Sequence, residues 1–192
     1  MRRIGSKWRL AKPFSRMTRE EMQTFDVEHA GDFVAVPLGD EFAFGRFLPA
    51  SGFAFYDLKL PQVPPLDEIE RSPVLFIVHV ELHAVTSGRW RVVGNRRLPE
   101  LLSAPVKYFR HPMGSDFLDI YVGGKFQPYA GEDLTKMEML AVWGPRHVER
   151  RLLCHFAGVR DDHTEEMRIP RGRADRFRRE YFAQLEAARG KK

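Results

Sequence analysis

Two histidines and a glutamate alternate in the middle of the chain, at His79, Glu81 and His83, within the stretch VLFIVHVELHAVTSGRW (residues 74–90). On a β-strand, side chains two residues apart lie on the same face, about 6.6 Å apart along the backbone. Imidazole and carboxylate groups at that distance can share a divalent ion, and a bound metal can activate water for hydrolysis. The stretch therefore raises metal-assisted hydrolysis as one function to weigh against the rest of the sequence.

The spacing of these three residues differs from that of the zinc-protease motif. That motif carries His-Glu-x-x-His on a helix, where the two histidines converge one turn apart. Here the glutamate lies between the histidines, and the other five histidines follow no motif that would supply a third ligand. We therefore predict no metal site, no cofactor and no catalytic residues. We interpret the three residues as a solvated or partner-facing part of a strand.

The single cysteine, Cys154, excludes an intramolecular disulfide and any zinc site built from several cysteines, and it favours a reducing compartment. It lies in the apolar run RLLCHF, which predicts a buried structural thiol. The sequence contains no G-x-S-x-G nucleophile elbow, no phosphate-binding glycine loop and no dinucleotide fingerprint. No apolar run is long enough to span a bilayer, and the basic N-terminus lacks the apolar centre of a secretory signal, so we predict a soluble cytoplasmic protein.

The strand predicted to carry His79 has one uninterrupted apolar face, formed by the alternate residues from Val74 to Leu82. This face must point to the core, because a shift of one residue would expose all of them. The opposite face begins with Leu75 and Ile77 and becomes polar at His79. The pattern therefore predicts that other parts of the protein cover this second face only as far as Ile77, and that the face is open from His79 onward.

The chain before this strand predicts a meander of three short strands. The stretch GDFVAVPLGDEFAFGRFL (residues 31–48) alternates around Gly39-Asp40, the two-residue turn of a tight hairpin, and FAFYDL continues the meander. Further short apolar runs separated by turn residues follow. We predict a mainly β, α+β fold: a strongly bent antiparallel sheet or a small, partly open barrel, with a C-terminal amphipathic helix. Two stretches, LTKMEMLAVW and HVERRLLCHF, fit a helix or a strand.

The C-terminal residues give the clearest helical pattern in the sequence. Apolar residues three or four positions apart form one narrow stripe: Ala174, Phe177, Tyr181, Leu185 and Ala188. Most of the arginines of this segment lie off the stripe. An amphipathic helix of this kind buries its apolar stripe, so we predict that the helix packs on the domain.

Basic residues are concentrated at the two ends of the chain. Residues 1–19 carry seven Lys/Arg and no acidic residue, and residues 168–192 carry nine Lys/Arg and three acidic residues. The body between them holds the other 15 basic and 23 acidic residues, a charge of −8 in a chain whose net charge is +5. We divide the chain into a basic N-terminal segment (1–30), a β-rich domain (31–168) and a basic helix (169–192). Nucleic-acid binding by these ends is not predicted, because they can pair with the acidic body.

Four stretches, in this order along the chain, resemble the immunity protein 26 family of bacterial polymorphic toxin systems. They are GDFVAVPLGDEFAFGRFL, VLFIVHV, SGRWRVVGNRRLP and LAVWGPRHVERRL, within residues 31–153. The most specific pieces are the G-D-x-x-A-V-P-L opening, the F-G-R that follows and the S-G-x-W. The resemblance implies a small cytoplasmic protein that binds and neutralises a cognate toxin. Because some proteins of the broad family are described as phosphotriesterases, it also implies an alternative: metal-assisted hydrolysis of organophosphates by the histidine stretch.

An inhibitor that acts by binding needs a surface complementary to its toxin. The acidic body suits a basic partner, and a nuclease is one such toxin, because an acidic patch can mimic nucleic acid in a basic cleft. We predict that seven residues bind the partner: Asp40, Glu41, His79, Glu81, His83, Asp116 and Asp119. The identity of the toxin and the oligomeric state stay open at the level of sequence.

Overall fold

The computed structural model describes residues 18, 20, 24–25, 28–50, 52–111 and 118–189. These residues form two compact units, each with its own sheet. The first unit comprises the residues up to Ala104 together with Ala141–Asp161, and the second comprises Pro105–Leu140 and the residues from Asp162 onward. The division made from the sequence, at residues 30 and 168, stays a prediction.

A six-stranded sheet forms the centre of the first unit. Its strands are β1 (Asp32–Leu38), β2 (Glu41–Leu48), β3 (Gly52–Leu60), β4 (Val74–Val80), β5 (Arg91–Asn95) and β10 (Val142–Trp143). Their order across the sheet is β10-β4-β3-β2-β1-β5, and β10 joins β4 in parallel. The predicted meander of β1, β2 and β3 is confirmed, with Gly39 at a φ of 72° in the first turn, a conformation that suits glycine.

One face of this sheet is covered by α1, the first of four helices that follow β1 among the described residues of this unit. These helices are α1 (Leu66–Arg71), α2 (His83–Thr86), α3 (Glu100–Ser103) and α4 (Pro145–Phe156). Ile69 of α1 is fully buried, and it belongs to the same apolar cluster as Phe33, Phe44 and Tyr56 of the sheet. Burying α1 on these rings removes apolar area from water and stabilises the helix, which is too short to be stable alone.

The opposite face of the sheet is covered by an aromatic side chain and by α4. Trp90 meets the rings of Phe53 and Phe55 edge-on, with ring centroids 5.9 and 5.7 Å apart. The Arg151 guanidinium of α4 lies 3.7 Å from the ring centroid of Phe76. Because the sheet is buried on both faces, its central strands contain apolar runs such as FVAV and lack the polar alternation of a half-exposed sheet.

Strand β4 is shorter than the sequence predicts. Phe76, Val78 and Val80 are buried, as expected for the core face, but Val74 is 38% exposed and the strand ends at Val80. The prediction that His83 continues the strand is wrong, because α2 begins at that residue. The Glu81 amide still donates to Trp143 of β10, but the amides of Ala84, Val85 and Thr86 donate to the carbonyls of Glu81 and Leu82, so the strand ladder ends there.

A four-stranded sheet and the long C-terminal helix form the second unit. Its strands are β6 (Lys107–Arg110), β7 (Asp119–Val122), β8 (Lys125–Pro128) and β9 (Glu138–Met139). Their order is β8-β7-β6-β9. A 3-10 turn (Leu134–Lys136) precedes β9, and two helices end the described chain, α5 (Asp162–Glu166) and α6 (Arg171–Arg189).

Helix α6 packs on this second sheet through the first part of its predicted apolar stripe. Ala174 and Phe177 are buried in one cluster with Phe109 and Ile120 of the sheet. The end of the stripe differs, because Ala188 is exposed. The predicted C-terminal amphipathic helix is confirmed, and its buried contacts are concentrated in its first two turns.

The predicted α+β class with a sheet-rich core is confirmed. Within the described ranges both sheets are open, so the barrel alternative is not formed, and the parallel pairs β10–β4 and β6–β9 make both sheets mixed. The stretch HVERRLLCHF forms most of α4, and LTKMEMLAVW forms the 3-10 turn, β9 and β10. The prediction of a buried Cys154 is wrong: the thiol is only partly buried, because it lies on α4 beside the exposed Leu153.

Candidate functional site

His79 lies at the end of β4, between Gly52 of β3 and Val142 of β10. Its Nδ1 is 2.7 Å from the carbonyl oxygen of Ala50, and because a carbonyl only accepts, Nδ1 carries the proton and donates. Burial lowers the pKa of the His79 imidazole, and the bond to Ala50 offsets part of this effect. His79 therefore connects β4 to the β2–β3 turn as a neutral side chain.

Glu81 and His83 form a separate pair just beyond the strand. The backbone N–H of Glu81 donates to the carbonyl of Trp143 at 3.0 Å, which holds the chain beside β10. Glu81 Oε2 lies 3.1 Å from His83 Nδ1, and the two side chains are 48% and 59% exposed. Across the residues that the structure describes, no three His, Cys, Asp or Glu side chains form a group that could hold a metal ion. Both side chains are therefore open to solvent beyond the end of β4.

Asp40 and Glu41 lie at the opposite end of the same sheet. Asp40 is exposed in the β1–β2 turn, and Glu41 Oε2 lies 2.5 Å from Lys59 Nζ. The register places Glu41 near the last residue of β3 and His79 beside its first residue. The nine residues of β3 separate these ends by about 26 Å, so the sheet does not bring the two groups together.

Asp119 lies in the second unit, at the start of β7. Only 8% of its side chain is exposed, and its carboxylate pairs with the Arg110 guanidinium of β6. A partner that approached this pair would therefore contact the Arg110 guanidinium and would reach little of the Asp119 carboxylate. Asp116, the remaining predicted binding residue, lies outside the described residues.

The partly buried imidazole of His79 makes the stability of the protein depend on pH. The unfolded chain takes up a proton at the ordinary pKa of 6.5, whereas the lowered pKa of the folded state delays protonation to a lower pH. The unfolded state thus binds more protons in this range, and the free energy of unfolding decreases as pH falls below about 6.5. We expect His79→Gln, which keeps a donor for Ala50 and does not titrate, to reduce the loss of stability between pH 7.5 and 5.5 in urea titrations. An unchanged loss would contradict this role for His79.

Arg46 connects several elements of the first unit, and the sequence analysis did not single it out for this role. It is fully buried in β2, and its Nη1 donates to Glu70 Oε1 at 2.6 Å. Its Nη2 donates to the carbonyls of Arg96 and Arg97 at 2.9 and 2.8 Å. The guanidinium also lies 4.4 Å from the centroid of the Phe33 ring. This one side chain connects β2 to α1 and to the segment that follows β5.

The F-G-R piece contains a sequence signal for the internal contacts of Arg46. Arg46 is the only charged residue in the run FAFGRFL, and a charge in a strand that is buried on both faces requires internal partners. Gly45 is constrained as well, since a Cβ atom there would lie 2.9 Å from the Phe55 ring. Both residues of this piece therefore serve packing inside the sheet.

The G-D opening forms a second set of internal contacts. Gly31 has a φ of 92°, and its carbonyl accepts the backbone N–H of Arg96 at 3.2 Å. Asp32 Oδ2 lies 2.9 Å from His29 Nδ1, and its Oδ1 accepts Asn95 Nδ2 at 2.8 Å. These bonds join the start of β1 to the end of β5, at the edge of the sheet.

The S-G-x-W piece attaches α4 to the sheet. The buried Trp90 donates its Nε1 to Glu149 Oε1 of α4 at 2.9 Å. Arg89 donates its Nε and Nη2 to the two oxygens of the same carboxylate at 2.6 and 2.5 Å. A single carboxylate thus binds two consecutive residues, a geometry that fixes the helix against the aromatic face of the sheet.

The structure defines an α+β protein whose most specific sequence pieces make contacts inside the first unit. The model of the family described as Immunity protein 26 matches residues 29–116, from the residues just before β1 to the end of β6 and beyond it. This match confirms the predicted resemblance: residues 29–116 are similar to the immunity protein 26 family. Comparison with curated proteins and with solved structures finds no match. None of the described helices is long and apolar enough to cross a membrane.

Proposed function

We propose that this protein is an immunity protein that binds and neutralises a cognate protein toxin in the cytoplasm of the cell that carries both. The observation that carries the proposal is the match of residues 29–116 to the immunity protein 26 family. A protein that neutralises by binding needs a stable scaffold and a complementary surface. It needs no reaction of its own.

The internal contacts of the matched region support this function. Arg46, Gly31 and Trp90, which lie in the pieces most specific to the family, all make contacts inside the first unit. Their bonds hold both faces and one edge of the sheet in a fixed arrangement. A scaffold that is rigid before binding loses less conformational entropy when the complex forms. We infer that the shared pieces maintain the scaffold, whereas exposed residues select the toxin.

Charge alone is a weak basis for toxin selection in the first unit. The carboxylates of Glu41, Glu70 and Glu149 each form an ion pair with a cation from another strand or segment. A paired carboxylate attracts a basic partner less than an unpaired one, since the neighbouring cation offsets its field. The proposal therefore does not require the toxin to be a nuclease, and the exposed Glu81–His83 pair contributes through hydrogen bonds as well as charge.

Co-expression with the toxin encoded beside this protein tests the proposal. Cells that express the toxin alone should stop growing, and cells that also express the wild-type protein should grow. The two proteins should co-purify at a fixed ratio. A useful control is Arg91→Ala, which changes an exposed residue at the edge of the sheet and should protect as well as the wild type. Failure to restore growth, together with the absence of a complex, would refute the proposed function.

A further inference from the structure

Helix α6 has one long side that the second unit leaves uncovered. Its Ala174 and Phe177 face the sheet of that unit, and the Tyr181 ring continues this contact, 5.7 Å from the Tyr129 ring. A groove runs along the next side of the helix, and all the described residues that line it are exposed. These residues are Asp175, Arg178, Arg179, Phe182, Ala183 and Glu186, and we call them the α6 groove.

Phe182 is the aromatic centre of the α6 groove. Its side chain is 45% exposed, although one part of the ring packs close to Gly131, where a Cβ atom would lie 3.3 Å from the ring Cζ. The Arg178 guanidinium lies 6.0 Å from the ring centroid. A ring that is already held on one side offers apolar area to a partner at a small cost in side-chain entropy.

The two carboxylates of the α6 groove are open to cations of another molecule. Among the described residues, neither Asp175 nor Glu186 forms an ion pair, although arginines lie three or four positions away along the helix. On the other exposed side of α6, by contrast, Glu180 lies 3.8 Å from Arg176. The α6 groove therefore presents exposed charges of both signs that the chain itself leaves unpaired.

The order of these charges along α6 is self-complementary when a second copy runs in the opposite direction. In a twofold, antiparallel pair of helices centred on Phe182, a residue before the centre meets the residue equally far after it. Asp175 lies seven positions before Phe182, and the exposed Arg189 lies seven positions after it. Seven residues make almost two turns, so both lie on the same side of the helix as Phe182. Each Asp175 would therefore face the Arg189 of the other copy.

The inner charges follow the same rule. Glu186 lies four positions after Phe182, whereas Arg178 and Arg179 lie four and three positions before it. In the antiparallel pair, each Glu186 therefore faces two guanidinium groups of the other copy. A parallel pair would place Asp175 against Asp175 and Arg178 against Arg178, and like charges in contact are unfavourable. The charges thus select one occupant, a second copy of this chain, and one direction.

We propose that the α6 groove binds the α6 groove of a second copy of this protein, as an antiparallel helix pair with Phe182 against Phe182 at its centre. The charges fix the direction, and the small Ala183 lets the two helices approach closely. The stretch from Asp175 to Arg189 is about 21 Å long, so the contact is small and the dimer is weak, forming as concentration rises. This pairing does not depend on the proposed function, because it involves no toxin.

Sedimentation velocity of the full-length protein over a series of concentrations tests the pairing. The average mass of the wild type should rise with concentration toward twice the monomer mass. Phe182→Ala is expected to weaken the dimer at least about tenfold, because it removes both central rings. Asp175→Arg is expected to weaken it about tenfold, because it replaces two attractive contacts with two repulsive ones. Circular dichroism and thermal unfolding verify that each variant is folded.

A charge exchange within one chain tests the antiparallel direction. Adding Arg189→Glu to Asp175→Arg restores opposite charges at both outer contacts, so the double variant should dimerise within about threefold of the wild type. The matched control is Glu180→Arg, which changes the net charge as Asp175→Arg does but lies outside the α6 groove. We expect the control to change the dimer Kd less than about twofold.

Each outcome supports or overturns the pairing. A wild type that stays monomeric at every concentration overturns it, and so does a dimer that Phe182→Ala and Asp175→Arg leave unchanged. A folded double variant that stays as weak as Asp175→Arg, or a control that weakens the dimer equally, overturns the antiparallel charge pairing. A monomeric wild type whose toxin binding is weakened by Phe182→Ala would assign the α6 groove to the toxin instead. The proposed function stands or falls separately, by the co-expression experiment.

Discussion

Replacing Arg46 with alanine is expected to lower the free energy of unfolding by about 3–5 kcal/mol, the usual cost of removing one partner from a buried ion pair. The substitution leaves the Glu70 carboxylate without its closest cation, and it leaves the carbonyls of Arg96 and Arg97 without a donor. It also removes a side chain that fills space above the Phe33 ring. These losses act together because one guanidinium serves all of these partners.

Urea unfolding of the purified variant measures this effect. The matched control is Arg91→Ala, which removes an arginine from the exposed edge of the same sheet, where its guanidinium lies 6.0 Å from the Phe42 ring centroid. We expect the control to cost less than about 1 kcal/mol, as is usual for an exposed cation–π contact. Equal losses in the two variants would show that Arg46 is not an internal anchor.

Gly31→Ala is expected to destabilise the protein by at least about 3 kcal/mol, because it combines a left-handed backbone with a severe contact. Gly31 has a φ of 92°, and a Cβ atom there would lie 1.9 Å from the carbonyl oxygen of Arg96. Arg46 Nη2 donates a hydrogen bond to this same oxygen, so the oxygen cannot move away without loss of that bond. Relief of the contact would separate the start of β1 from the end of β5.

A second glycine separates the two causes of this loss. Gly39 has a φ of 72°, but a Cβ atom there would meet nothing within 4 Å. Gly39→Ala should therefore cost only the backbone strain, about 1–2 kcal/mol. Thermal unfolding of both variants beside the wild type gives the comparison. A cost for Gly31→Ala no greater than that for Gly39→Ala would rule out the close approach to Arg96.

The features that sequence predicts well are local in the chain. The β1–β2 hairpin follows from two apolar runs around Gly39-Asp40, and the packing of α6 follows from the spacing of Ala174 and Phe177. In both cases the residues that form the pattern are also the residues that make the contacts. A period of two or of three to four residues is then sufficient to identify the buried face.

The end of β4 depends on contacts between residues that are distant in sequence. Val142 of β10 pairs with His79 from 63 residues away, and the two-residue β10 supports the sheet only as far as Val80. The alternation from Val74 to Leu82 contains no sign of this limit. His83 is therefore placed in α2, and its side chain pairs with Glu81 beyond the sheet.

The candidate binding residues were the least accessible to sequence reasoning, because exposure and ion pairing are properties of the fold. Glu41 and Asp119 are both acidic in sequence, yet Glu41 pairs with Lys59 and Asp119 holds Arg110. Phe126 differs from its sequence pattern in the opposite direction. An aromatic residue in a strand predicts burial, but the Phe126 side chain is 48% exposed on the edge strand β8.

Titration of a fixed amount of toxin with the purified protein tests most directly whether the protein acts by binding. The toxin's own activity is measured at each point. If the protein neutralises by occupying the toxin, activity should fall linearly to zero at a fixed molar ratio, and longer incubation should not change that ratio. Toxin activity that persists above equivalence, or that disappears at far lower ratios as incubation lengthens, would contradict neutralisation by stoichiometric binding.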